Sequence, residues 1–296
     1  MRFGFWPNPR SNYEDTKQLA NHAEQLGYDG IWLADHFLPE EPELIPVHES
    51  WITMAALSRD VPRIRIGTMV SGNTYRHPAV LANMVATLDN LNDGRTVLGI
   101  GSGWQQNEHE AYGLPYDTIG IRLRKLDEAC QIFKGLFNNE YFDFDGEFYT
   151  LKHAPLEPKP KQVKLPLMIG GGGEKVTLRI VAKYADEWNV WGDVDILKHK
   201  MKILDQHCEA VNRDPTEIER CAVALLFLSE DEKYLKRIRE ADEREGAPQL
   251  RRERERAPPR DKHSAQKRCC GRGSPGQRSR LSRPSASSRQ RGGRAP

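Results

Sequence analysis

Cysteine is scarce in this chain: five in 296 residues, at Cys130, Cys208, Cys221, Cys269 and Cys270. Only the last two are adjacent, and none has the paired spacing of a thiolate metal site. The three in the body read as reduced, buried thiols. His109-Glu110 has no second histidine at H-E-x-x-H spacing, so no zinc is expected there. No apolar run approaches the roughly 20 residues that cross a bilayer. The N-terminal M-R-F-G-F-W-P lacks a basic-then-apolar leader. These absences predict a cytoplasmic protein with neither a membrane partner nor a metal.

The net charge is only +2, but it is unevenly spread. Residues 251–296 hold 15 Lys+Arg against 3 Asp+Glu, a net +12, which leaves −10 on residues 1–250. The tail has no aromatic residue, and Leu281 is its only branched aliphatic. Such a segment cannot offset its ordering entropy by burying apolar area, so a disordered basic tail is expected. An Arg-rich arm can bind phosphate chains. A frameshift in GC-rich DNA gives the same Arg/Ser/Gly/Pro mixture, and the strand pattern below favours that reading. No specific nucleic-acid partner is expected.

The body alternates short apolar runs with stretches of helical period. Strands are expected at F-G-F-W from Phe3, D-G-I-W-L from Asp29, I-R-I-G-T-M-V from Ile64, T-V-L-G-I-G from Thr96, L-M-I-G from Leu167, E-W-N-V-W from Glu187 and A-V-A-L-L-F from Ala222. Helices are expected at about 13–26, 49–59, from 78, 119–137, from 174, 194–211 and 230–245. Gly27 stops the first, and Pro78 opens the third at a position where a missing N–H costs nothing. An insertion at about 139–166 interrupts the alternation. It holds a hairpin around Asp145-Gly146 and a Pro/Lys-rich connector, and reads as a candidate lid. Continuous apolar strands joined by helices imply a parallel sheet. Seven such units without reversal point to an α/β fold, a (β/α)8 TIM-type barrel over 1–250. The eighth unit is replaced by the basic tail, hence the frameshift reading near 247–251.

In such barrels the active site lies at the C-terminal ends of the strands. The second strand ends in Asp35-His36, an acid beside an imidazole able to carry a proton near neutral pH. The fifth ends in four glycines, of which Gly171, Gly172 and Gly173 precede a helix, as a phosphate-binding loop would. Residues 99–103, G-I-G-S-G, lack the dinucleotide spacing. Ending in Gly103, they read as close backbone approach to a flat ring. Asn107, Glu108, His109 and Glu110 are placed in a loop after Trp104. Trp32, Trp51, Trp188 and Trp191 read as core or pocket wall.

Five segments carry a resemblance: W-L-A-D-H-F from Trp32, G-T-M-V-S-G-N-T-Y-R-H-P-A-V from Gly67, L-G-I-G-S-G-W-Q-Q-N-E-H-E-A-Y-G from Leu98, I-G-G-G-G-E-K-V-T-L from Ile169 and A-K-Y-A-D-E-W-N from Ala182. In this order the chain resembles the luciferase-like monooxygenase superfamily, most closely its coenzyme F420-dependent oxidoreductase branch. The resemblance implies a barrel with an insertion near the fifth strand and a deazaflavin ring across the strand ends. It implies a non-proline cis peptide within 69–72. It places His36 at proton transfer and Asp35 at the cofactor. Ser71, Gly72 and Asn73 would support the ring, Asn107 its pyrimidine side, and Gly172 and Gly173 the phosphate. Sugar-phosphate dehydrogenases of the family have a glutamate proton donor where Trp104 stands, so oxidation of a sugar phosphate is not expected.

The implied function is hydride transfer between coenzyme F420 and a small organic substrate, and barrels of this family often form homodimers. The alternative is an FMN-dependent monooxygenase, since both rings need glycine-lined strand ends and a phosphate loop. A scaffold with a nucleic-acid-binding tail and a damaged gene product are the remaining readings.

Overall fold

The computed structural model describes residues 1–40, 44–192, 194–224 and 229–245, with side chains described to residue 240. It divides into two units, 1–225 and 226–296. In the second, one highly charged helix is described, α8 (Glu232–Glu245). The basic tail and the position of an eighth strand lie outside the described residues.

The first unit alternates β1 (Gly4–Phe5), α1 (Tyr13–Gln25), β2 (Gly30–Leu33), α2 (Ser50–Asp60), β3 (Arg65–Thr68), β4 (Ser71–Gly72), α3 (Pro78–Leu91) and β5 (Thr96–Gly101). It continues with α4 (Gln106–Tyr112), α5 (Ile119–Asn138), the hairpin β6 (Tyr141–Asp145) and β7 (Thr150–Pro155), β8 (Leu167–Gly170), α6 (Thr177–Tyr184), β9 (Glu187–Trp191), α7 (Val194–Ala210) and β10 (Glu219–Val223). The main strands are all parallel, in the order β1-β2-β3-β5-β8-β9-β10, with β4 on β5. This is the curled parallel sheet of a (β/α) barrel.

Local chemistry sets the ends of the helices. The Asn12 side chain accepts from the Asp15 N–H, capping α1, and Gly27 at φ +84° turns the chain out of it. Pro78 starts α3, and the His77 ring accepts from the Ala79 N–H.

The two faces of the strands build two cores. Ile31, Leu33, Ile66, Leu98, Ile100, Leu167, Ile169 and Trp188 pack outward against the helices in the larger core. Trp32, Val97 and Met168 fill the interior of the curl, with Met69 and Val70 against them. Glycines make room for that indole: a Cβ on Gly4 would lie 2.2 Å from Trp32 Nε1, and one on Gly67 3.1 Å from its ring. Below this layer Arg65 and Arg2 converge on the buried Glu187, and Arg2 also pairs with Glu219. Arg2 precedes β1 and Glu219 opens β10, so this ion pair brings the two ends of the strand order together. The interior is a filled core, as barrel geometry requires.

Three expectations need correction. Residues 106–112 form a helix, α4, where a loop was expected; Gly113 at φ +67° ends it. The seventh main strand starts earlier than the apolar run at 222, because Glu219 and Cys221 lie on the same strand face as Glu187 and Asn189; residues 225–227 of that run lie outside the described residues. The hairpin has a four-residue connection, 146–149, since Asp145 pairs with Thr150. That connection is fastened to α5. The Glu128 carboxylate accepts from the N–H groups of Glu147, Phe148 and Tyr149 at 2.7, 3.0 and 3.2 Å.

Candidate active site

His36 stands just beyond β2, and α4 comes to meet it. Its Nδ1 lies 2.8 Å from Glu108 Oε1. The Tyr75 hydroxyl donates to the same oxygen. The other oxygen accepts from the N–H groups of Phe37 at 2.8 Å and Leu38 at 3.3 Å. Glu108 is fully buried. Burial alone would raise its pKa, but hydrogen bonds from His36, Tyr75 and Phe37 outweigh that and hold it below the usual carboxylate range. The Tyr75 phenol is pushed well above its ordinary value by burial and by Glu108. On the same helix, His109 spans the Gln105 carbonyl and the Thr74 hydroxyl and stacks on Tyr75. The Trp104 indole is 53% exposed and meets the His36 ring edge-on at 5.4 Å.

Asp35 is turned the other way. Its carboxylate is completely buried and takes Arg76 at 2.6 and 3.1 Å, Ser50 Oγ at 2.9 Å and Trp51 Nε1 at 3.4 Å. The Trp51 N–H also reaches Ser71 Oγ at 3.2 Å. Asp35 and Ser71 therefore share a buried network on the α2 side of β2.

The Met69–Val70 peptide is cis, within the stretch where the resemblance puts it. Val70 then occupies the space that the glycines leave. A Cβ on Gly101 or Gly170 would lie 2.9 or 2.8 Å from its methyls, and one on Gly99 only 1.8 Å from the Thr68 carbonyl oxygen. The glycines of β5 thus accommodate this side chain and the neighbouring backbone in the first place.

Gly72 packs under the Tyr75 ring. Asn73 is buried; its amide N–H donates to Tyr149 at 3.2 Å, and its Oδ1 has no partner. Gly103, at φ +77°, lies against Thr74. The Asn107 amide is directed to the loop backbone, donating to Pro39 O at 2.9 Å and Glu40 O at 3.3 Å. Gly171 adopts φ +124° and its N–H is taken by Asn189 O. The N–H groups of Gly172 and Gly173 donate to no acceptor among the described residues. Lys200 donates to Gly172 O at 2.7 Å and pairs with Glu174 at 3.1 Å.

The sequence reading named His36 and its neighbour but passed over Glu108, Tyr75, Arg76 and Val70 as site residues. One signal was available for Glu108: N-E-H-E-A-Y-G ends in a glycine that can stop a short helix. Nothing local marks Arg76 as the partner of Asp35.

A curled parallel sheet with an imidazole and a glycine loop at its C-terminal strand ends defines a (β/α)-barrel enzyme architecture. The luciferase-like monooxygenase family matches residues 1–278, and the chain belongs to that family. An F420-dependent glucose-6-phosphate dehydrogenase of Amycolatopsis mediterranei is 35% identical over 174 residues, 58% of this chain and 50% of that protein. One of Kineococcus radiotolerans is 35% identical over 160 residues, 54% and 47% of the two chains. The chain spans about half the length of the curated relatives it matches. Among solved structures, an F420-dependent secondary alcohol dehydrogenase in complex with an F420-acetone adduct superposes with TM-score 0.73 at 23% identity, over 84% of this chain and 76% of that one. The coenzyme F420-dependent tetrahydromethanopterin reductase of Methanopyrus kandleri gives 0.70 at 19%, over 79% and 68%. At these identities the two structures speak for the fold. No helix among the described residues is long and apolar enough to cross a membrane.

Proposed function

We propose that this chain is an oxidoreductase that transfers a hydride between a deazaflavin, coenzyme F420, and a small organic substrate. The observation that carries this is His36. Its Nδ1 is tied to a buried carboxylate, and its Nε2 has no partner among the described residues, beside the exposed indole of Trp104. The F420-dependent relatives support the choice of cofactor.

The residues fit such a group. Asn73 keeps a buried amide atom without a partner, and with a single contact to Tyr149 this holds whichever way the amide is turned. Gly172 and Gly173 offer free N–H groups ahead of α6, suited to a phosphate. Val70, with Gly99, Gly101 and Gly170 behind it, gives an apolar support. Gly72 and Gly103 line the same strand ends. Asp35, Ser71 and Asn107 are committed to protein partners and act by holding β2, α2 and the loop after His36.

The deazaflavin, when bound, supplies the hydride acceptor or donor. His36 Nε2 would take the proton of the substrate hydroxyl in the oxidation, and the protonated ring would return it to the carbonyl oxygen in the reduction. Glu108 and Tyr75 hold the imidazole, and Trp104 shields it from water. Arg76 and Lys200 are both paired with carboxylates. Trp104 stands where sugar-phosphate dehydrogenases of the family carry a glutamate proton donor, so glucose 6-phosphate is not expected to turn over.

Parallel titration with coenzyme F420 and FMN, read by ring fluorescence, tests the proposal. Micromolar F420 binding that is lost in Gly172→Asp supports it. Selective FMN binding instead identifies a flavin monooxygenase, and binding of neither removes the proposal.

A further inference from the structure

We infer that Glu108 is a positioning residue: its buried carboxylate fixes His36 as the Nδ1–H tautomer and so presents Nε2, as a proton acceptor, to the mouth of the barrel. The inference rests on the role proposed for His36, but its geometry stands by itself. A carboxylate only accepts hydrogen bonds. Its two oxygens here face two sets of donors. Oε2 takes the N–H groups of Phe37 and Leu38, which cannot do anything but donate. Oε1 takes the Tyr75 hydroxyl and faces His36 Nδ1 at 2.8 Å, so Nδ1 carries the proton.

The same short helix braces the loop that carries His36. Gln105 Nε2 donates to Leu38 O at 2.8 Å, and Asn107 donates to Pro39 O and Glu40 O. Backbone of the loop and ring of the histidine are thus set by one rigid element. This is the arrangement by which a buried acid orients a catalytic imidazole without touching substrate.

Glu108→Gln gives a directed test. The amide has one acceptor and one donor end. Its nitrogen cannot face Phe37 and Leu38, which are themselves donors. It must turn to His36 and Tyr75, where the imidazole can accept by shifting its proton to Nε2. In the full chain labelled with 15N-histidine, near neutral pH and without cofactor, the wild-type His36 ring should show a protonated Nδ1 and a bare Nε2, and the variant the reverse. Glu108→Asp keeps an acceptor-only group one methylene shorter and should retain the wild-type pattern in part. A wild-type ring protonated at Nε2, or a folded Glu108→Gln protein that keeps Nδ1–H, overturns the inference. With a turned-over substrate, kcat should fall by about 10²–10³-fold in Glu108→Gln, with F420 affinity unchanged. Failure of the wild type to bind F420 would remove the proposed function while leaving the tautomer result to decide the role of Glu108.

Discussion

Arg76 grips Asp35 by both carboxylate oxygens, at 2.6 and 3.1 Å, and reaches on to Glu49, the N-cap of α2. One side chain from the turn before α3 therefore joins the end of β2 to the start of α2. Burial disfavours the guanidinium charge, but Asp35 and Glu49 more than compensate, and its pKa is raised. Removing one partner of such a buried pair leaves an uncompensated charge, a loss of about 3–5 kcal/mol. Arg76→Leu should lower the urea midpoint accordingly, whereas Arg124→Leu, which cuts an exposed pair with Glu147, should leave it nearly unchanged. Equal effects of the two substitutions would contradict the burial argument.

Val70 and Gly170 make a second test. Gly170→Ala places a Cβ 2.8 Å from a Val70 methyl, and overpacking of this kind costs about 1–3 kcal/mol. Val70→Ala removes those methyls. The double variant should therefore recover part of what Gly170→Ala loses, a coupling measurable in a double-mutant cycle of unfolding free energies. Strict additivity would mean that Val70 does not fill this space.

The order of strands and helices was legible because continuous burial on both sheet faces leaves apolar runs, and because Gly27 and Pro78 mark helix ends by mechanisms that act locally. The site was legible only in part. Asp35-His36 stands out as polar residues at the end of an apolar strand, yet the two side chains point to different networks, which no spacing reveals. Glu108 sits 72 residues beyond His36, and its meaning arises only when α4 packs against the loop after β2. The glycines of β5 read as room for a ring because the cis peptide that swings Val70 into that room leaves no local trace in M-V. Glu219 and Cys221 look unlike a barrel strand until the register on β9 sets Glu219 beside Glu187, where Arg2 pairs with both carboxylates.

Cys130 offers a prediction about reactivity. It is fully buried on α5, and desolvation pushes its thiol well above the ordinary cysteine range. In the native protein at pH 8 it should resist alkylation, and peptide mass mapping should find it modified only as urea unfolds the barrel. Rapid labelling of Cys130 under native conditions would show that α5 does not pack as described.

Acid should act on the Glu108 cluster with a definite sign. The folded-state pKa of Glu108 is depressed, so its stabilisation is fully present above the unfolded value of about 4.3 and is lost as pH falls through the lower folded value. Asp186 is also depressed, since Lys134, Lys164 and the Leu167 N–H outweigh its burial. A pH titration of the wild type alone would mix the two. Comparing wild type with Glu108→Gln isolates the first, because every other carboxylate is common to both proteins. Wild type should be the more stable near pH 7, and the gap in unfolding free energy should narrow between pH 5 and pH 3 as Glu108 gains its proton. A gap that stays constant over that interval would mean that Glu108 titrates alike in the folded and unfolded states, and a gap that widens as pH falls would mean that it is held as the neutral acid, with the hydrogen-bond directions around His36 reversed.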